Sequence, residues 1–125
     1  MALTTAGINY LAQAAIGQGT PFNNTNARIG VGNGTTAFAT SQTDLQGANK
    51  LRKVMDSGYP IVAAPVVTFK STFAPNEANF AWNEWGVFNA STGGVMLNRV
   101  VEGNGTKLSN QTWVLEVAIT FAIGT

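Results

Sequence analysis

The apolar alternation near the end of the chain constrains its fold more than any other feature. Trp113, Leu115, Val117, Ile119, Phe121 and Ile123 take every second position, with Val114, Glu116, Ala118, Thr120 and Ala122 between them. A repeat of two is that of a β-strand with one face buried, and a helix, repeating every 3.6 residues, would scatter these side chains around its axis. Burying all six would contribute roughly 10 kcal/mol before chain entropy is subtracted. A strand this apolar is expected at the centre of a sheet.

Partners for it can be read upstream. Ile29 and Val31 alternate with small residues, and "KLRKVMD" (50–56) has the ragged pattern of an edge strand. In "PVVTFKSTFA" (65–74), Val67, Phe69 and Phe73 fall on one face, Lys70 and Thr72 on the other. "FAWNEWGVFN" (80–89) sets Trp85 and Val87 on one face and Phe80, Trp82 and Phe88 on the other. With "ASTGG" and "VMLNRVV" it predicts a hairpin over 80–101 with a loop of four or five residues. One helix is expected over 4–17, capped by Thr4 or Thr5, with Ile8, Leu11, Ala12, Ala15 and Ile16 at helical spacing. Gly17, Gly19 and Pro21 end it. The expectation is a mainly β fold: an antiparallel β-sandwich or jelly roll with one N-terminal helix. It forms a single domain over 1–125, with strands from about residue 27 onward.

The stretch "RIGVGNGTTAF" (28–38) has the look of a phosphate cradle, with Gly30, Gly32 and Gly34 at alternate positions. A nucleotide loop of the Walker type needs a lysine after its last glycine, and Gly34 is followed by Thr35. A dinucleotide fingerprint needs a helix next, and "TTAFATSQTD" is a poor one. The simpler reading is a strand whose glycines let it pack closely on another backbone, with Asn33-Gly34 making a tight turn.

The catalytic inventory is thin. There is no histidine and no cysteine among the 125 residues, which excludes imidazole catalysis, thiolate metal sites and disulfides. Glu77 and Glu84 lie near aromatics in the manner of a glycosidase pair, but Glu84 reads more simply as a strand residue paired with Arg99. No calcium-type acidic spacing is present. The expectation is a chain with no enzymatic activity, no catalytic residues, no cofactor and no metal. Lys50, Arg52 and Lys53 form one basic cluster, followed by Asp56, and net charge is +1, so nucleic acid is not an expected partner. No apolar run reaches the ~20 residues of a membrane span, so no membrane partner is expected. Charged residues make up 10%, against about a quarter in ordinary soluble domains. A surface of uncharged polar residues suits a chain packed into an assembly.

Three stretches together, "IGVGNGTTAFATSQTDLQG" (29–47), "ANFAWNEWGVFNASTGGVMLNR" (78–99) and "GTKLSNQTWVLEVAIT" (105–120), cover most of the chain after the helix. They resemble small virion proteins of tailed double-stranded DNA bacteriophages. The "EWGVF…GG" hairpin is also similar to a segment in N-terminal domains of tail-collar fibre proteins. The resemblance implies a β-rich structural protein without enzymatic activity, most like a capsid decoration (cement) protein. It would bind the major capsid protein on the outer capsid surface of the virion, after synthesis in the bacterial host cytoplasm. Self-association as a symmetric homo-oligomer is expected, first of all as a trimer. A tail, baseplate or short tail-fibre component is the alternative. A carbohydrate-binding module is a further one, and it requires Trp82 and Trp85 to be exposed and coplanar. Candidate interface residues are Tyr10, Leu11 and Ile16 on the helix and Phe22, Asn23 and Asn24 in the loop 20–26, with the loop 102–110 as a third region. Phe22, an aromatic in a polar loop, is the best single anchor. The helix has a second reading, as the cover over one open end of the sandwich.

Overall fold

A computed structural model describes residues 2–122; Ile123, the last apolar position of the alternation, lies outside them. In chain order the elements are α1 (Thr5–Ala15), β1 (Arg28–Gly32), β2 (Lys50–Val54), β3 (Ile61–Ala63), β4 (Val66–Phe73), β5 (Glu84–Phe88), β6 (Met96–Val101) and β7 (Trp113–Thr120). They form two antiparallel sheets, ordered β2-β1-β5-β6 and β3-β4-β7. The architecture is the expected sandwich. The core between the sheets takes Ile29, Val31, Trp85 and Val87 from one and Phe69, Phe73, Val117 and Ile119 from the other.

β7 obeys the period-two pattern, with Val117 and Ile119 buried and Val114, Glu116, Ala118 and Thr120 exposed. It is not a central strand. It pairs only with β4 and forms one edge of the three-stranded sheet. Alternation reports that one face is covered and carries no information on how many neighbours the backbone has. β2 does lie at a sheet edge, as its raggedness suggested. β3 was not anticipated: its three residues are all exposed, between Pro60 and Pro65.

The β5–β6 hairpin closes at Asn89 and Val95. The Asn89 N–H donates to the Val95 carbonyl at 3.2 Å, and the Val95 N–H donates to Asn89 Oδ1 at 2.7 Å, leaving 90–94 as the loop. Strand geometry begins only at Glu84, so the face assigned to Trp82 by counting back from Phe88 is wrong. Trp82 joins the inter-sheet core, while Phe88 packs with Leu45 and Met96 on the opposite side of its sheet.

No tight turn forms at Asn33-Gly34. The chain leaves β1 in extended form, and the connection 33–49 folds back over the outer face of the four-stranded sheet. That fold-back explains the alternate glycines. A Cβ on Gly30 would stand 2.6 Å from the Phe88 ring, and one on Gly32 2.5 Å from Glu84 Oε2. The glycines make room for side chains of β5; only Gly34, 2.5 Å from the Gly47 nitrogen by the same construction, also meets backbone.

Thr4 caps α1: its side-chain oxygen accepts from the Gly7 N–H at 2.9 Å, and its hydroxyl donates to the Met96 carbonyl. The helix ends at Ala15, before Gly17 at φ 75°.

Candidate functional site

The glycine loop binds an anion, and the anion is the chain's own. Glu84 is wholly buried, and its carboxylate accepts from four donors: the N–H groups of Gln46 (2.8 Å), Gly47 (2.7 Å) and Gly34 (2.9 Å), and Arg99 Nε (2.8 Å). Arg99 Nη1 donates onward to Gln42 Oε1 at 3.1 Å. Burial pushes the Glu84 carboxyl up, and the hydrogen bonds from Gln46, Arg99, Gly47 and Gly34 outweigh it, holding the group below the ordinary glutamate range. With both oxygens occupied and no exposed surface, this carboxylate staples the fold-back onto the sheet and has no access to a substrate. Arg99 Nη2 is buried without a partner among the described residues.

Several of the other charges are also paired internally. Lys53 meets Glu77 at 2.8 Å, Lys50 meets Asp44 at 3.1 Å, and Arg52 meets Asp44 at 3.3 Å with its guanidinium 3.7 Å above the Phe88 ring. The basic cluster 50–53 is therefore already paired. Hydrogen bonding to Lys53 chiefly holds the Glu77 carboxyl low. Among the described residues no set of three or more acidic side chains converges as a metal would require, and no helix is long and apolar enough to cross a membrane.

The indoles proposed for sugar stacking are not available. Trp82 is 3% exposed and Trp85 8%. Trp82 Nε1 donates to the Ala78 carbonyl at 2.9 Å, and its ring meets Phe73 and Trp113 edge-on, at 70° and 74°. A carbohydrate platform on Trp82 and Trp85 is contradicted by this packing.

The loop 20–26 is likewise inward-directed. Phe22 is no exposed anchor: it packs edge-on against Tyr10 at 4.9 Å and Phe69 at 6.5 Å, at the margin of the core. A large ring in a polar loop finds the nearest apolar cover, here the buried side of α1. Asn24 Nδ2 donates to the carbonyls of Asp56 (3.2 Å) and Tyr59 (2.7 Å), and Asn23 Oδ1 accepts from the Asn26 N–H at 3.0 Å. Both residues are exposed, but these side chains hold the loop in place. In 102–110, Lys107 is buried and donates to the Ala74 carbonyl and Asn79 Oδ1, both at 2.8 Å, while Leu108 is 55% exposed.

Among the apolar surfaces that stay uncovered is one on α1. The helix buries only Gly7 and Tyr10, so Tyr10 belongs to the core and not to an interface. Gly7 lets the helix backbone rest directly on β6, since a Cβ there would be 2.5 Å from the Leu97 carbonyl. Docked through that narrow seam, α1 turns Ile8, Ala12, Ala15 and Ile16 to solvent, with Ile8 52% and Ile16 72% exposed and Leu11 half-buried. Their spacing of 8, 12, 15, 16 is one face of a helix. The row read from the sequence at helical spacing is thus largely free, with Leu11 its half-buried member. Helical period shows that a face exists, and Gly7 decides which face docks.

No known protein family, curated protein or solved structure matches this chain.

Proposed function

We propose that this chain is a non-enzymatic structural subunit of a tailed-bacteriophage particle, a capsid decoration protein that binds the major capsid protein through the free stripe of α1. The observation that carries this reading is the apolar row Ile8–Ala12–Ala15–Ile16, turned to solvent on a helix otherwise held by a single turn. An apolar row on a chain with only 10% charged residues is a feature of a subunit with a neighbour.

The resemblance to small virion proteins supports the same reading, and the structure gives its motifs a shared physical role. "SQTDLQG" supplies Gln42, Gln46 and Gly47 to the Glu84 staple, and "EWGVFNASTGGVMLNR" supplies Glu84 and Arg99 from the two strands of one hairpin. The motifs are the parts that build the fold, so they argue for a common scaffold, while α1 carries the contact. Such a subunit stabilises a shell by binding the assembled form and not the dissociated one.

The test is localisation on purified particles by cryo-EM or antibody labelling in negative stain. Copies spread over the head in hundreds are expected. Copies confined to the tail would move the role from capsid to tail, and absence from the particle would end the virion reading.

A further inference from the structure

We propose that two copies of this chain join through β7, edge to edge and antiparallel, to make one continuous six-stranded sheet. The Phe121 N–H donates to the Pro65 carbonyl at 2.9 Å, one step beyond the Val66↔Thr120 pair, so the odd-numbered residues of β7 turn their backbone groups toward β4. The even-numbered ones, Val114, Glu116, Ala118 and Thr120, turn theirs to the open side, where no described strand lies. The other sheet edges are blunted. Leu3 bridges Asn98 beside β6, β3 has three residues, and β2 carries Lys50, Arg52 and Lys53. β7 is eight residues long with no proline, no bulge and one charge. Natural edges of that length are usually protected, and this one is a template for another strand.

The edge is complementary to itself. Because only even-numbered residues offer hydrogen bonds, antiparallel registers shift in steps of two. One register pairs Glu116 with Ala118 of the second copy and Val114 with its Thr120, and uses every outward backbone group. Of the two neighbouring registers, one sets Glu116 opposite itself, which like charge disfavours, and the other pairs Val114 with Ala122, beyond the end of β7. On the core face the favoured register sets Trp113 opposite Phe121, Leu115 opposite Ile119 and Val117 opposite its own copy. Trp113, Leu115 and Phe121 are only partly buried within one chain.

Two cavities flank the edge. One of about 560 Å³ is lined by residues 112–116 with Trp82, Trp85, Glu102 and Asn104, and one of about 500 Å³ by residues 118–122 with Leu3, Ile8 and Leu11. Each takes five consecutive residues of β7 and its flank, four of the strand in the first and three in the second, inward- and outward-facing alike, as expected of a cavity along a strand's side. The favoured register delivers the second copy's Phe121 and Ile119 to the first cavity and its Trp113 and Leu115 to the second. A second copy therefore fits both, and the two-fold axis makes the unit a dimer in place of the expected trimer. This inference concerns the isolated chain and shares only Ile8 with the proposed capsid contact, whose row continues through Ala12, Ala15 and Ile16 away from the edge.

Sedimentation equilibrium on the purified full chain tests it. The wild type is expected to dimerise. Ala118→Glu places two like-charge pairs across the axis and should weaken the dimer about tenfold, while Ala118→Lys places two opposite-charge pairs and should tighten it. Residue 118 is exposed, and opposite effects from two substitutions at one position cannot both come from misfolding. Ala118→Pro removes one outward N–H without touching the ladder to β4 and should leave a monomer. A wild-type monomer at its highest soluble concentration, or a dimer that responds equally to Glu and Lys, overturns the proposal. The latter result would point to a different interface or to a foreign strand as the natural occupant.

Discussion

Replacing Glu84 by glutamine keeps the side chain's volume and removes what its site is built to hold. Oε1 accepts from Gln46 N–H and Arg99 Nε, and Oε2 from Gly34 N–H and Gly47 N–H. Whichever way the new amide turns, its NH₂ meets two donors with no acceptor between them. Two buried donors are left unmet at about 1–3 kcal/mol each, and Arg99 keeps a wholly buried charge without a counter-ion. Breaking a buried pair in this way costs about 3–5 kcal/mol. Urea denaturation at pH 7 should show that loss at unchanged slope, and thermal unfolding a Tm lower by on the order of 10–20 °C. The deficit also has a pH signature. The folded carboxyl lies below its ordinary 4.5, so its contribution is complete above that value and is lost as pH falls through the folded pKa. The glutamine variant lacks that component, so the gap to wild type should narrow below pH 4.5. A Glu84→Gln protein within about 1 kcal/mol of wild type at pH 7 would refute the staple, because two unmet donors alone exceed that figure.

Four further outcomes follow. Gly32→Ala drives a methyl to 2.5 Å from Glu84 Oε2 and should destabilise by about 1–3 kcal/mol in urea. Gly103→Ala, with nothing within 4 Å of the new atom, should be neutral or slightly stabilising in the same assay. Phe22→Ala removes two edge-on ring contacts and should lower stability by about 1–3 kcal/mol by calorimetry, without the selective loss of partner binding that an exposed anchor would show. With no histidine in the chain and the shifted carboxyls all lowered, the proposed decoration role predicts a contribution to particle heat resistance that is constant between about pH 6 and 8. A steep change measured there would contradict a shell held by apolar contact.

The parts of this fold legible in the sequence are those written in local periods. β7 announces itself by alternation, the β5–β6 hairpin by "ASTGG", and α1 by its cap and glycines. Glu84 and Arg99 could be paired in advance because the hairpin brings residues 15 apart together. The position of β7 within its sheet was not legible, since a side-chain pattern is the same whether a strand has one neighbour or two. β3 gives no pattern because nothing buries it. The glycines of β1 signal close approach, but what approaches is a carboxylate 50 residues on, against Gly34, and only the pairing of β1 with β5 and the return of 33–49 bring it there. Trp82 was misplaced because counting parity assumes an unbroken strand, and the strand begins at Glu84. For α1, the spacing of the apolar residues shows that a face exists but not whether it docks, and the helix docks where it has no side chain, at Gly7. Of the candidate interface residues, Ile16 is exposed, Leu11 is half-buried, and Tyr10 and Phe22 turn inward.

The most direct test of the account is the occupancy of particles by an Ile16→Glu variant. Ile16 is 72% exposed, so its replacement should leave unfolding within about 0.5 kcal/mol of wild type. Copies per particle, counted by quantitative mass spectrometry of purified virions, should fall at least about tenfold if the apolar stripe of α1 holds the subunit in place. Wild-type occupancy by a stably folded Ile16→Glu protein would show that α1 is not the contact.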